Sequence, residues 1–390
     1  MKTRLLIIIG ILGLVVITFT SLFFFEKQNN FEIFTTVELS GQILSIDFDD
    51  DFNVLVGTKT GNHKGMLYYM DSNGNIIWQK NTQRIIGFVD ITDDGKYVAT
   101  KGYELTDGGA HIYHDNLIEL FDNNGTKLWD FPKRELPMMS NDIDPTSYSV
   151  AIDDSANLLI AHEDEVWWFD DSGNNMWNYT LIGKSRSMDI SDNGKLVAVS
   201  SSDIRDDVDY DWGLDVFTNG GQYLWQKSGG NYSVISDNAV AVSANGNYIA
   251  IGLAAVGDEG IVHVFDKSGI LIWTDTTDSV VSDVYFSPDE DNLIVSTNNG
   301  LLFYDVQGNL LWTKFETFNP RFSTEYVVGT SPVLDYYVLK VMDYTGNILS
   351  EFQIESPVRD IKITDDSNMI VVGTKGKSDT GHGILYYFKQ

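Results

Sequence analysis

VHVFDKSGILIW (262–273) holds one repeat unit of this chain. A short strand of alternating character runs into Asp266, then a turn with Gly269, then a second apolar strand that ends on Trp273. Aspartate at the head of such a turn bonds the turn's own backbone, and glycine supplies a positive φ. The alternation on either side places one face on a neighbouring sheet. The unit recurs as LYYMDSNGNIIW (67–78), IELFDNNGTKLW (118–129), VWWFDDSGNNMW (166–177), LDVFTNGGQYLW (214–225), LLFYDVQGNLLW (301–312) and LKVMDYTGNILS (339–350). Aspartate stands three residues before each glycine, at 71, 122, 170, 266, 305 and 343, except for Thr218. Tryptophan stands four residues after it, at Trp78, Trp129, Trp177, Trp225, Trp273 and Trp312, except for Ser350. A large ring at one fixed place in every unit is expected to fill the wedge between adjacent sheets.

A second hairpin alternates with the first. Its copies are ILSIDFDDDFNVLVG, FVDITDDGKYVAT, SVAIDDSANLLIA, SMDISDNGKLVAV, AVAVSANGNYIAIG, SDVYFSPDEDNLIVS and RDIKITDDSNMIVVG, with a weaker copy near Phe322–Gly329. Eight such hairpins against seven of the tryptophan type predict an all-β propeller of about eight four-stranded blades, with seven as the fallback count. The last copy is followed by GILYYF (383–388) alone, so FEIFTTVEL (31–39) is expected to supply the missing outer strand and close the ring. The stretch FSPDEDNLIVS (286–296) resembles the first hairpin of WD40-type blades, and the D-x-x-G-x-x-x-W units resemble quinoprotein-like (PQQ-like) propeller blades. The resemblance spans residues 31–390 and implies the fold. It also raises a quinoprotein dehydrogenase activity, but many of those enzymes carry a disulfide of adjacent cysteines beside the cofactor, and this chain has no cysteine. No cofactor is expected.

The first thirty residues differ from the rest. Lys2 and Arg4 precede an uncharged run from Leu5 to Phe25, long enough to cross a bilayer as a helix. The reading is a cytoplasmic stub (1–4), a transmembrane signal-anchor helix (5–25), a short linker (26–30) and a propeller (31–390) on the outer side, by the positive-inside rule. A cleaved signal peptide is the competing reading, and Ser21–Phe25 is a poor cleavage site. The formal net charge of −30 argues against a nucleic-acid partner, which needs clustered lysine and arginine.

Candidate chemistry is sparse. His111 and His114 have a metal-like spacing in what reads as a loop, and Asp47–Asp51 lacks the glycine and distal glutamate of a calcium loop, so the metal question stays open. Asn124, Asn178 and Asn231 begin Asn-x-Ser/Thr sequons. Arg84, Arg134, Arg186, Arg321 and Arg359 fall between one blade's last strand and the next blade's first. Arg205, Tyr210 and Trp212 lie in the long stretch 201–213 between a second and a third strand. Propeller topology puts both kinds of connection on one face, opposite the Asp turns. These eight residues are the expected rim for a protein, peptide or glycan partner in the cell envelope, with forked guanidinium contacts to carboxylate or phosphate. The alternative is that each arginine pairs with a neighbouring blade's aspartate, such as Asp189 or Asp360. The function expected is therefore a non-catalytic binding or scaffold module. A channel enzyme (quinoprotein-, lyase- or hydrolase-like) and a structural or sensor component of the envelope stand as alternatives. The linker 26–30 spans at most about 17 Å, which sets the Asp-turn face toward the membrane.

Overall fold

The structure, a computed structural model, describes residues 31–61, 64–105, 113–131, 148–205, 209–230, 232–233, 239–255, 259–376 and 381–390. The expected anchor, 5–25, lies outside these residues, as do His63, His111, Arg134 and Asn231.

Eight antiparallel sheets form a propeller, one per blade. Blade 1 runs outward from Gln42–Phe48 through Val54–Lys59 and Gly65–Met70 to Ile76–Thr82. Blades 2, 3 and 4 begin at the inner strands Ile85–Ile91, Tyr148–Ile152 and Lys184–Ile190. The inner strand of blade 5 is short, Val240–Val242, with Tyr232–Ser233 pairing the same neighbour. Blades 6, 7 and 8 begin at Val281–Phe286, Phe318–Phe322 and Val358–Ile363. The eighth blade takes its outer strand, Glu32–Leu39, from the other end of the sequence, in register from Glu32 opposite Lys389 to Leu39 opposite Gly383. Eight blades, and closure by the strand at 31–39, agree with the repeat count.

Turns joining strands one to two and three to four share one end of the ring, called lower here. Strand-two-to-three hairpins and the links between blades share the upper end. The stretch 201–213, and the one that carries His114, expected as loops, are strand over most of their described residues. Leu196–Arg205 pairs with Asp209–Thr218 out to Arg205 opposite Asp209, and Tyr97–Leu105 pairs with Tyr113–Asp122 out to Leu105 opposite Tyr113.

Apolar side chains from facing blades pack at each seam. The sets Leu55, Leu67, Ile86, Val89 and Val98 (blades 1 and 2) and Val262, Val264, Val281, Val284 and Val295 (blades 5 and 6) are examples. The tryptophans pack against these sets, Trp78 on the first and Trp273 on the second, between one blade and the next as expected. They lie half-buried on the outer strands, and each reaches the lower turn of the next blade. The indole Nε1 donates to a turn carbonyl there: Trp78 to Asn123, Trp129 to Asp171, Trp177 to Asn219, Trp225 to Lys267, Trp273 to Val306 and Trp312 to Tyr344, at 2.7 to 3.0 Å. The ring roofs the turn glycine. Gly269 has φ 80°, and a methyl built on it would meet the Trp225 ring at 2.8 Å. The invariant spacing of glycine and tryptophan is thus a staple between neighbours, with the aspartate holding the turn: Asp266 Oδ1 accepts from the Ser268 and Ile270 amides at 2.8 and 2.9 Å.

This staple explains the one unit without tryptophan. Ser350 lies on blade 7, and the next blade has no three-to-four turn to receive an indole, because its outer strand is Glu32–Leu39. On the far side of that blade, the turn at Gly74 packs against Val37 instead. Gly269→Ala is expected to cost about 2 kcal/mol, from the positive φ together with the crowded ring. Gly61→Ala, which meets no atom within 4 Å, is expected to be near neutral. Chemical denaturation of both variants compares them.

Candidate functional site: the central channel

Inner strands line a central channel with a volume of about 760 Å³. One residue per blade, two positions before the lower turn, faces it: Asp47, Asp90, Ala151, Asp189, Ala241, Tyr285, Arg321 and Lys362. The sequence holds these acids in plain view, as SIDF, FVDI and SMDI, each a charged residue inside an apolar strand. Their position is the signal: each interrupts a strand buried on both faces.

The carboxylates here bind the ring together. Asp47 Oδ2 accepts from the Ile91 amide (3.0 Å), Asp90 Oδ2 from Ile152 (3.1 Å) and Asp189 Oδ2 from Val242 (2.7 Å), each reaching the next blade's inner strand. Two residues earlier the same device repeats: Val89 donates to Ser45 Oγ, Val240 to Ser187 Oγ and Ile46 to Asp360 Oδ2. Such bonds satisfy amides that a parallel set of inner strands leaves open.

In the channel wall, ion pairs join blade 7 to blade 8 and blade 8 to blade 1, with Tyr285 of blade 6 beside the first. Arg321 donates through Nη2 to Asp360 Oδ1 at 3.0 Å and through Nη1 to Tyr285 Oη at 2.9 Å, and its guanidinium lies 4.9 Å from the centre of the Tyr285 ring. Lys362 Nζ meets Asp47 Oδ1 at 2.8 Å. Burial pushes the Tyr285 phenol well up, so it stays neutral beside the guanidinium. Burial works against the charges of Arg321 and Lys362, but Tyr285, Asp360 and Asp283 around the first, and Asp47 and Asp360 around the second, raise both.

The expected rim residues occupy three kinds of place. Arg186 and Arg359 sit at β-bulges of the inner strands of blades 4 and 8, where the register shifts between Ser185 and Ser187 and between Val358 and Asp360. A bulge re-aims a side chain. Arg359 is exposed and lines the channel, while Arg186 Nε donates to Ser202 Oγ at 2.8 Å. Arg84 is half-buried in the link from blade 1 to blade 2. Arg321 stands elsewhere although it shares the nine-residue distance from the tryptophan position. Twelve residues separate Trp177 from Asp189 but nine separate Trp312 from Arg321, so the shorter link carries Arg321 into the channel wall. Trp212 is buried, its ring 5.5 Å from His263. Arg205 and Tyr210 lie on the paired strands of blade 4, and only their backbone falls among the described residues. Asn124 and Asn178 are exposed, the first in a lower turn and the second on an outer strand. The described residues bring no three His, Asp or Glu side chains into a metal-holding group. The Asp47–Asp51 stretch makes a turn, in which Asp49 Oδ1 accepts from the Asn53 amide at 2.9 Å.

At the lower mouth, Asp365, Asp50, Asp93, Asp154 and Asp192 stand on five adjacent blades, three positions beyond the wall residues. Partial burial, then Asp154, Asp50, Asp192 and Asp365, push Asp93 up to about 7. Burial alone does most of the same for Asp189, also to about 7, and raises Asp90, Asp192 and Asp365. A carboxyl whose folded pKa lies above the unfolded value of about 4 holds a proton that the unfolded chain has released. Stability from this set is fully present at low pH and is lost as pH rises toward 7. The turn carboxylates Asp71, Asp122, Asp170, Asp305 and Asp343 are lowered, so their contribution falls away only in stronger acid. The melting temperature is therefore expected to be about 3 °C higher at pH 5 than at pH 8, with solvent screening at the open mouth keeping the gain small. Asp189→Asn should raise the value at pH 8 and flatten the slope. A melting curve unaffected by pH would mean that these carboxyls are ordinary.

No protein-family model and no curated protein matches the chain. In fold it is similar to a solved structure described as the crystal structure of the eukaryotic initiation factor, with a TM-score of 0.56 and 11% identity over 90% of each chain. At that identity the likeness speaks to the propeller architecture alone, which hosts many unrelated functions.

Proposed function

We propose that this chain is a non-catalytic binding module: a propeller held at a membrane by residues 5–25, displayed on the outer side, and recruiting a protein, peptide or glycan in the envelope. The observation that carries this reading is the state of the channel's charges. Arg321, Lys362, Asp47 and Asp360 are committed to one another and to backbone amides across blade seams. That arrangement makes a rigid ring and leaves recognition to its faces. Rigid scaffolds carrying variable upper connections are a common way to present a binding surface. The strand Glu32–Leu39 begins at the lower end, since Glu32 lies opposite Lys389, so a short link from 25 to 31 would keep that end near the bilayer.

Absence of native cysteine makes the test clean. Single cysteines at Asn73, on the lower face, and at Arg359, near the upper mouth, would be treated with an impermeant maleimide in intact cells. Labelling of both without lysis, slower at Asn73, is the expected result. Labelling only after lysis would end the outer-side reading.

A further inference from the structure

The two most exposed large apolar side chains among the described residues are Leu334, at 103% relative exposure, and Phe315, at 70%. They belong to one upper corner, where blade 6 meets blade 7. Phe315 ends the outer strand of blade 6, opposite Gly300. Leu334 is in the two-residue turn of the upper hairpin of blade 7, between Val333 and Tyr336, which pair. Thr317, in the link that follows Phe315, has its Oγ1 3.2 Å from Oγ of Ser331, below the tip of that hairpin.

The hairpin is longer than its neighbour's. Blade 6 turns at Asn298 and Asn299, directly after Thr297 opposite Gly300. Blade 7 carries two further residue pairs, Pro332 with Tyr337 and Val333 with Tyr336, before it turns. Two pairs lift the tip by about 7 Å. Pro332, Val333 and Leu334 are all exposed there. The link below holds two left-handed non-glycine residues, Glu316 at φ 55° and Asn319 at φ 52°. Each such residue costs about 1 kcal/mol.

Charge selects among occupants. Asp335 sits beside Leu334 at the tip, and Glu316 follows Phe315, both exposed. Lys314, which precedes Phe315, and Lys340 are half-buried, the latter donating to Thr317 Oγ1 at 3.3 Å. An acid at the very tip opposes entry into hydrocarbon and matches a basic rim. We propose that this corner, with Leu334 as the knob and Phe315 beside it, inserts into an apolar pocket of a partner protein whose rim is basic. The inference deepens the binding-module reading and rests on it. An apolar anchor set in a charged surround is how protein interfaces concentrate affinity.

The test uses the full chain in its own membranes. A photoreactive benzophenone residue replaces Leu334 in one version and Leu128, an exposed residue at the lower end of the outer strand of blade 2, in another. The expected result is one discrete protein adduct from position 334 and none from 128, with the attached peptide mapping to an apolar segment flanked by lysine or arginine. Phe315→Asp and, separately, Asp335→Lys should each reduce the adduct at least tenfold without shifting the melting temperature. Adducts to lipid, to a second copy of the chain or equally from both positions, no adduct, or a contact peptide that is polar or acidic would each overturn the proposal. Maleimide labelling from outside together with a failed cross-link would reject this corner and leave the binding-module reading standing. Labelling only after lysis would reject the reading itself.

Discussion

Arg321→Met is expected to destabilise the propeller by about 3 kcal/mol, the largest effect of any single channel substitution. The side chain gives Asp360 an ion pair and Tyr285 a donor, on a wall where Asp283 and Asp47 add further negative charge. Methionine fills much of the volume but leaves Asp360 Oδ1 with the Ile361 amide alone, while Oδ2 remains bonded to Ile46 of blade 1. The carboxylate then either stays charged beside Asp47 or takes up a proton. Partial solvent access, with 22% of the Arg321 side chain and 13% of the Asp360 side chain exposed, keeps the cost below that of a sealed ion pair. The double variant Arg321→Met/Asp360→Asn should recover about 1 to 2 kcal/mol, since removing both charges avoids the orphan. Arg321→Lys should fall between, because an ammonium cannot fork to Tyr285 and Asp360 together. A loss under about 0.5 kcal/mol for Arg321→Met would mean that the channel solvates these ions as bulk water does.

How much of this arrangement the sequence discloses depends on what each residue answers to. The paired hairpins are local chemistry, a turn glycine with an aspartate before it and alternation on both sides, and they disclose the blade count and the outer strand at 31–39. Even the exception at Ser350 follows from closure, once the eighth blade is known to lack a turn. Side-chain destination is another matter. Arg186, Arg321 and Arg359 share one spacing from the tryptophan position, yet a link three residues shorter moves Arg321 from bulge to channel wall. Spacing along the chain measures contour, while position around the channel depends on where each strand begins. The tryptophans fill the wedge as expected, but only its outer part, half-buried against the Val, Ile and Leu of the inner seam. The indoles need the wider outer gap and a carbonyl for Nε1. The corner at Phe315 and Leu334 was not legible at all, since exposure of an apolar residue is a property of neighbours that the local pattern does not name.

Deleting Phe31–Leu39 from the chain is expected to abolish the cooperative fold. Blade 8 would lose its outer strand, and with it seven residue pairs along Gly383–Lys389. At about 1 kcal/mol for each ladder bond, before any apolar loss, the deficit is comparable with the whole stability of a typical domain. Phe31 and Leu39 are buried, Leu39 among Ile43, Leu385 and Tyr387 at the seam with blade 1, and Phe31 edge-on to Tyr326 of blade 7 at 5.7 Å between ring centres. The strand therefore ties the last blade to both neighbours, and a ring opened there presents an unpaired edge carrying Leu385, Tyr387 and Phe388 to solution. Aggregation on expression is the expected outcome. Because a deletion can fail for reasons of synthesis, two further measurements keep the claim exposed to test. Leu39→Asp, which buries a charge at the 8–1 seam without removing a bond of the ladder, should cost about 3 kcal/mol or more. A synthetic peptide of residues 31–40 added to the refolding deletion variant should restore part of the native melting transition by strand addition, in a concentration-dependent way. A deletion variant that melts like the parent would place the stability of the ring in its seams alone and make the outer strand of blade 8 an ornament of the edge.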